Sequence, residues 1–150
     1  MKKIIPRIDE KRTKLSLEKA LEKYRKYLVT LPVDSMPTIT PTYSIIPPSN
    51  TYSFKSQTEN IAIERVEFET ERLHYMNKIF KALETLKTEE KKIIVERFLK
   101  EEVSYDIEIW TELNIAKNKY YKLKWEAMLR MAFALKVEVY FNDNESGVAV

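Results

Sequence analysis

Asn114-Ile115-Ala116-Lys117-Asn118-Lys119-Tyr120-Tyr121-Lys122-Leu123-Lys124 is the stretch on which the fold turns. Its first three residues interrupt two helical patterns. Upstream, Ile107, Trp110 and Leu113 recur every three residues, one face of a helix over about 104–113 that Ser104 starts. Downstream, Tyr120, Leu123, Ala127, Met131 and Leu135 recur at three and four, a second helix over about 117–136 with Trp125, Met128 and Leu129 beside the stripe. Two helices joined by a three-residue turn are the layout of a helix-turn-helix, whose second helix places its N-terminal residues in the DNA major groove. The side chains suit that task. Lysine neutralises phosphate and donates to guanine, asparagine pairs with adenine, and tyrosine reaches phosphate or stacks. The candidate DNA-binding residues are therefore Lys117, Asn118, Lys119, Tyr121, Lys122 and Lys124, with Ser104 from the preceding helix. Of these, Lys117, Asn118, Tyr121 and Lys122 group on one side near the helix start.

Toward the N-terminus, Thr88 is expected to cap a helix carrying Glu89 and Glu90 at its positive end and Ile93, Ile94, Arg97, Phe98 and Leu99 at helical spacing. Before it, Ser56-Gln57-Thr58-Glu59 reads as a capping box that opens a helix over about 58–87. Ala62, Val66, Leu73, Met76, Phe80 and Leu83 fall on heptad core positions there, with Glu69 the polar intruder. Three heptads fit a homodimer seam or a long helix packed within its own chain. Residues 32–57 hold five of the six prolines among Ser, Thr and Tyr, so they read as an extended arm packed along helices or offered as a binding peptide. The first helix, about 9–31, carries Leu17, Leu21, Tyr24, Leu28 and Leu31 on one stripe and stops at Pro32. After the last helix, Val137 to Phe141 read as a short extended segment and 142–150 as a frayed tail.

Composition narrows the chemistry. The 150 residues include one glycine, one histidine and no cysteine. A phosphate-cradling loop needs several glycines, and with Gly147 alone neither a P-loop nor a dinucleotide fingerprint can form. Disulfides, thiolate zinc sites and cysteine nucleophiles are excluded. Glu71-Arg72-Leu73-His74 has the spacing of a di-iron helix motif, but that site needs two such motifs, so His74 reads as a packing or surface residue. No metal, no cofactor and no catalytic activity are expected. No apolar run approaches the roughly 20 residues that span a bilayer, and the start is not a secretory signal, so a cytoplasmic protein without membrane contact is expected. Charge is segregated. Residues 1–31 hold ten bases and four acids, 88–115 four bases and eight acids, and 116–136 six bases and one acid. The basic blocks suit a polyanion, and the acidic one restricts which face meets it.

At this point the chain resembles known proteins. Leu86-Lys87-Thr88-Glu89-Glu90-Lys91-Lys92-Ile93-Ile94 through Leu99 resembles the opening of the σ-factor region that reads the −35 promoter element. The whole chain resembles the ArpU family of phage transcriptional regulators. The landmarks are Ile8-Asp9-Glu10-Lys11-Arg12-Thr13-Lys14, Leu31-Pro32, Pro37-Thr38-Ile39-Thr40 with Thr42-Tyr43-Ser44, Tyr120-Tyr121-Lys122-Leu123-Lys124-Trp125, and Ala132-Phe133-Ala134-Leu135 with Val137-Glu138-Val139-Tyr140. The resemblance implies a σ-like helix-turn-helix regulator of late phage or prophage genes for packaging and lysis, working on double-stranded DNA with host RNA polymerase. Two departures stand out. Ala116 occupies the family's serine cap, and Lys117 and Lys119 stand where an acidic and a small polar residue are usual. The DNA sequence read by relatives therefore does not transfer.

The expectation is an all-α protein with an N-terminal helix and Pro-rich arm (1–57), a long helix serving as scaffold or dimer platform (58–87), a σ-like helix-turn-helix domain (88–141) and a tail (142–150). Its function is expected to be sequence-specific transcriptional regulation. The alternatives are a small-terminase-like DNA-packaging adaptor and a helical interaction protein that binds no DNA. Because Gly147 lies in the tail, the turn must use Asn114, the best non-glycine residue for left-handed backbone, so Asn114 is expected to have positive φ.

Overall fold

A computed structural model describes residues 7–32, 38–39, 45–46 and 59–142. The protein is mostly helical. The helices are α1 (Glu10–Leu28), α2 (Glu59–Leu83), α3 (Thr88–Ile94, continued by a π-helical turn Val95–Leu99), α4 (Asp106–Leu113) and α5 (Lys117–Leu135). Two two-residue strands, β1 (Thr38–Ile39) and β2 (Ile45–Ile46), pair antiparallel within the Pro-rich segment, with Thr38 opposite Ile46 and Ile39 opposite Ile45. The expected capping box at 56–59 lies largely outside the described residues, as do the rest of the arm and the expected tail from 143.

The helix α1 forms because its apolar residues fall on one stripe and Asp9 caps it. The Asp9 carboxylate accepts from the Arg12 amide at 3.1 Å and pairs with the Arg12 guanidinium. Leu17, Leu21, Tyr24 and Leu28 are buried as the spacing predicts. Each contributes about 1.5–3 kcal/mol of apolar transfer. They meet Met76, Phe80 and Leu83 of α2, Ile94, Val95 and Leu99 of the α3 segment, and Ala127, Met128, Met131 and Leu135 of α5 in one core. Tyr24 and Phe80 pack edge to face, with centroids 5.8 Å apart.

The segment before α1 is tied to the segment after α5. In the segment 137–141, expected to be extended, Tyr140 forms an isolated antiparallel bridge with Ile8. Asp9 N–H donates to the Val139 carbonyl at 2.9 Å, and Phe141 N–H to the Arg7 carbonyl at 3.2 Å. The buried Thr13 hydroxyl closes the clamp, accepting from Val139 N–H and donating to its carbonyl. The start of α1 thus sits at the end of α5. Lys14 then lies over Trp125, and Glu18 shares a groove with Tyr121. The two helices run antiparallel.

The heptad seam on α2 is split. Met76, Phe80 and Leu83 are buried inside the chain, while Val66 is exposed together with Ile61, Ile63 and Phe68. Glu69 is held by Arg65 at 3.6 Å. The expected helix limits shift for local reasons. The first helix ends at Leu28, where the Thr30 hydroxyl binds the Tyr27 carbonyl. The long helix ends at Leu83, where the Thr85 hydroxyl binds the Ala82 carbonyl.

Candidate functional site

A second, smaller core belongs to α3, α4 and α5 alone. Ile93, Ile109 and Tyr120 are buried at its centre, with Trp110, Leu113, Ile115 and Leu123 around them. The register of α4 corrects one expectation. Ile109, not Ile107, is the buried isoleucine, and Ile107 is 59% exposed. The helix begins later than expected, with Tyr105 as its capping position, and Ile109 packs against Ile93 and Tyr120. At α3 the cap is Lys87, and Thr88 is the first helical residue. The Glu90 carboxylate accepts from the Lys87 amide at 3.0 Å, the reciprocal half of a capping box. Glu90 is fully buried, and its second oxygen lies 3.6 Å from Arg130 of α5.

The turn between α4 and α5 takes the expected form. Asn114 has φ 56° and ψ 46°, left-handed backbone. Its N–H donates to the Thr111 carbonyl and the Ile115 N–H to the Trp110 carbonyl, both at 3.1 Å. Together they close α4 in a Schellman motif, and Ile115 drops into the small core. Ala116 then precedes α5 in extended geometry with no side-chain cap. The first amides of α5 therefore have no capping side chain at the helix's positive end.

The candidate residues divide into two groups. Lys117, Asn118, Lys119, Tyr121 and Lys122 are exposed on the first turns of α5. Tyr121 is steadied by Trp110 and Tyr120, with ring centroids at 5.9 and 5.3 Å. It also lines, with Lys122, a groove shared with Glu10, Lys14 and Glu18 of α1. Lys124 and Ser104 also engage carboxylates of the fold, and Lys124 lines the same groove as Tyr121 and Lys122. The Lys124 ammonium lies 2.9 Å from the Asp106 carboxylate and is largely covered. The Ser104 hydroxyl donates to Glu96 at 3.2 Å, a carboxylate that also holds Lys100 at 2.7 Å.

Asp106 is the hub that the sequence reading passed over. Standing in the first turn of α4, it accepts from the Tyr120 hydroxyl and from Lys124 and sits 3.5 Å from Arg97 of the π turn. Burial alone would raise its pKa. The hydrogen bonds from Tyr120 and Lys124 and the charges of Lys124 and Arg97 outweigh that and hold it below the ordinary value. Tyr120 is driven upward, by burial first and then by its bond to Asp106. One carboxylate thus locks the crossing of α4 on α5. A signal was present: Tyr120 and Lys124 are four apart and share a face that a first-turn acid could meet.

Among the described residues no cluster of His, Asp and Glu is placed to hold a metal ion. None of the described helices is long and apolar enough to cross a membrane. His74 is exposed and lines a groove between α2 and α5.

No family model matches the chain, and no solved structure matches it. Over 135 residues it is 32% identical to a protein of Listeria innocua serovar 6a described as "Uncharacterized phage-related protein Lin1259/Lin1739", covering 90% of this chain and 94% of that protein.

Proposed function

The chain belongs to the family of that phage-related protein, and from this premise we propose that it is a sequence-specific DNA-binding regulator of late phage or prophage genes for packaging and lysis. It acts in the host cytoplasm as an activator, by binding rather than catalysis. The unit α3–α4–α5 works as a σ-like helix-turn-helix of the ArpU type. The start of α5 enters the major groove, where Lys117, Lys119 and Lys122 meet phosphate or guanine and Asn118 meets adenine. The remaining surface recruits host RNA polymerase. The single observation behind this reading is the basic start of α5. Lys117, Asn118, Lys119 and Lys122 stand exposed after a turn with no side-chain cap, on a three-helix unit with its own core.

The test is Lys117→Glu with Lys122→Glu, measured by gel shift on promoter DNA over a salt series. Two lost phosphate contacts lower the salt slope by about 2 and weaken binding by roughly tenfold or more. Unchanged affinity at every salt would overturn the reading. A packaging adaptor is the second reading, favoured by the exposed apolar residues Ile61, Ile63, Val66 and Phe68 on α2. Light scattering separates the two: a monomer or dimer fits regulation, and a large closed ring fits packaging. A helical interaction protein would protect no DNA at any salt.

A further inference from the structure

A groove of about 920 Å³ opens between the C-terminal half of α2 and the end of α5. Its wall carries His74, Asn77, Lys78, Lys81 and Thr85, and α5 contributes Ala134. Glu84 is the single acid in the lining. Lys78 and Lys81 are exposed, and among the described residues no ion pair engages either. Beside Ala134, Phe133 is also exposed. The groove between α1 and α5 differs, because there Lys14 is already taken by Glu10 at 3.0 Å. Two exposed lysines with no ion pair among the described residues, on a groove that also holds Ala134, are complementary to an acidic segment with an apolar anchor.

Position adds to the argument. Ala134 lies sixteen residues beyond Asn118 on the same helix, about 24 Å along its axis. The groove is therefore at the opposite end of α5 from its basic start, so both ends can be occupied at once. We propose that this groove docks an acidic, apolar-anchored segment of a protein partner. That the partner belongs to the transcription machinery rests on the proposed function, whereas the chemistry of the groove does not.

The experiment uses the full chain and two fluorescein-labelled helical peptides. One carries Asp and Glu around Leu and Phe anchors at i, i+3 and i+7. The other has the same anchors with Lys replacing every acid. The acidic peptide binds and the Lys peptide does not. Binding weakens with salt and falls about tenfold or more in the Lys78→Glu, Lys81→Glu double variant. Both positions are exposed, so the thermal melt of the variant stays that of the parent, and its duplex affinity stays within about twofold. Amide chemical shifts move at His74, Lys78, Lys81 and Ala134 and not at 117–122. Equal binding of both peptides, binding indifferent to the double variant, or shifts confined to the start of α5 would overturn the proposal. Loss of duplex binding in the parent protein would sink the DNA reading and leave the peptide result to stand or fall by itself.

Discussion

Asn114 and Lys136 are the two described residues outside glycine with positive φ, at 56° and 59°, and each closes a helix. Asn tolerates that backbone region, whereas a residue with a full side chain strains there by about 1 kcal/mol. Asn114→Ala is therefore expected to cost about 1 kcal/mol, and Lys136→Gly to gain up to about 1 kcal/mol, both read from urea midpoints. An alanine variant as stable as the parent would mean that the turn is not held left-handed. Asn114 was legible in the sequence because the only glycine stands elsewhere. Lys136 was not, since nothing in its chemistry marks it and the Ala132 carbonyl that takes the Val137 N–H lies a full turn back. Asp106 supplies the pH prediction. Its pKa is lowered in the folded protein, so its contribution is present above about pH 4 and is lost as pH falls through the lowered value. Asp106→Asn should cost about 1–2 kcal/mol at pH 6. The gap to the parent should narrow as the pH is taken from 6 to below about 4. Denaturant unfolding across that range checks this, and a gap that stays constant contradicts the hub.

At the scale of the element, α5 combines a strong inner stripe with a weak start. Tyr120, Ala127, Met128, Met131 and Leu135 are buried, which holds the helix through tertiary packing rather than propensity. Its start has no capping side chain at Ala116. Ala116→Ser should stabilise the protein by about 1 kcal/mol, seen as a rise in Tm. The stripe on α5 and the one on α1 were readable because both recur at spacings of three or four. The register of α4 was not. An eight-residue helix with Ile107, Ile109, Trp110 and Leu113 offers two apolar faces, and only the packing against Ile93 and Tyr120 chooses between them. The α3 cap was placed one residue late, because Thr88 is the residue whose side chain suits a cap and only the backbone shows Lys87 in that position.

Across the whole molecule, two cores share α3 and α5, and Met131 of α5 is fully buried in the larger one. Met131→Ala should cost about 2–5 kcal/mol. Because the cores share helices, melting followed by Tyr fluorescence and by far-UV circular dichroism should lose both in one transition. Separate midpoints for the two probes would show that α3–α5 unfolds independently of α1 and α2. By itself, the sequence determined the mostly helical class, the short break between α4 and α5, the left-handed turn at Asn114 and the basic start of α5. Each of these depends on residues within one or two turns of one another. Only the tertiary structure decided that α1 runs antiparallel to α5 and is clamped by Thr13 to Val139, 126 residues away. It also decided that the α2 seam is spent half inside the chain, and that Lys124 and Ser104 hold carboxylates of the fold. The physical reason is that helical periodicity specifies which face is apolar. What that face meets, and which exposed-looking lysine finds a half-buried carboxylate, depend on contacts between segments distant in sequence.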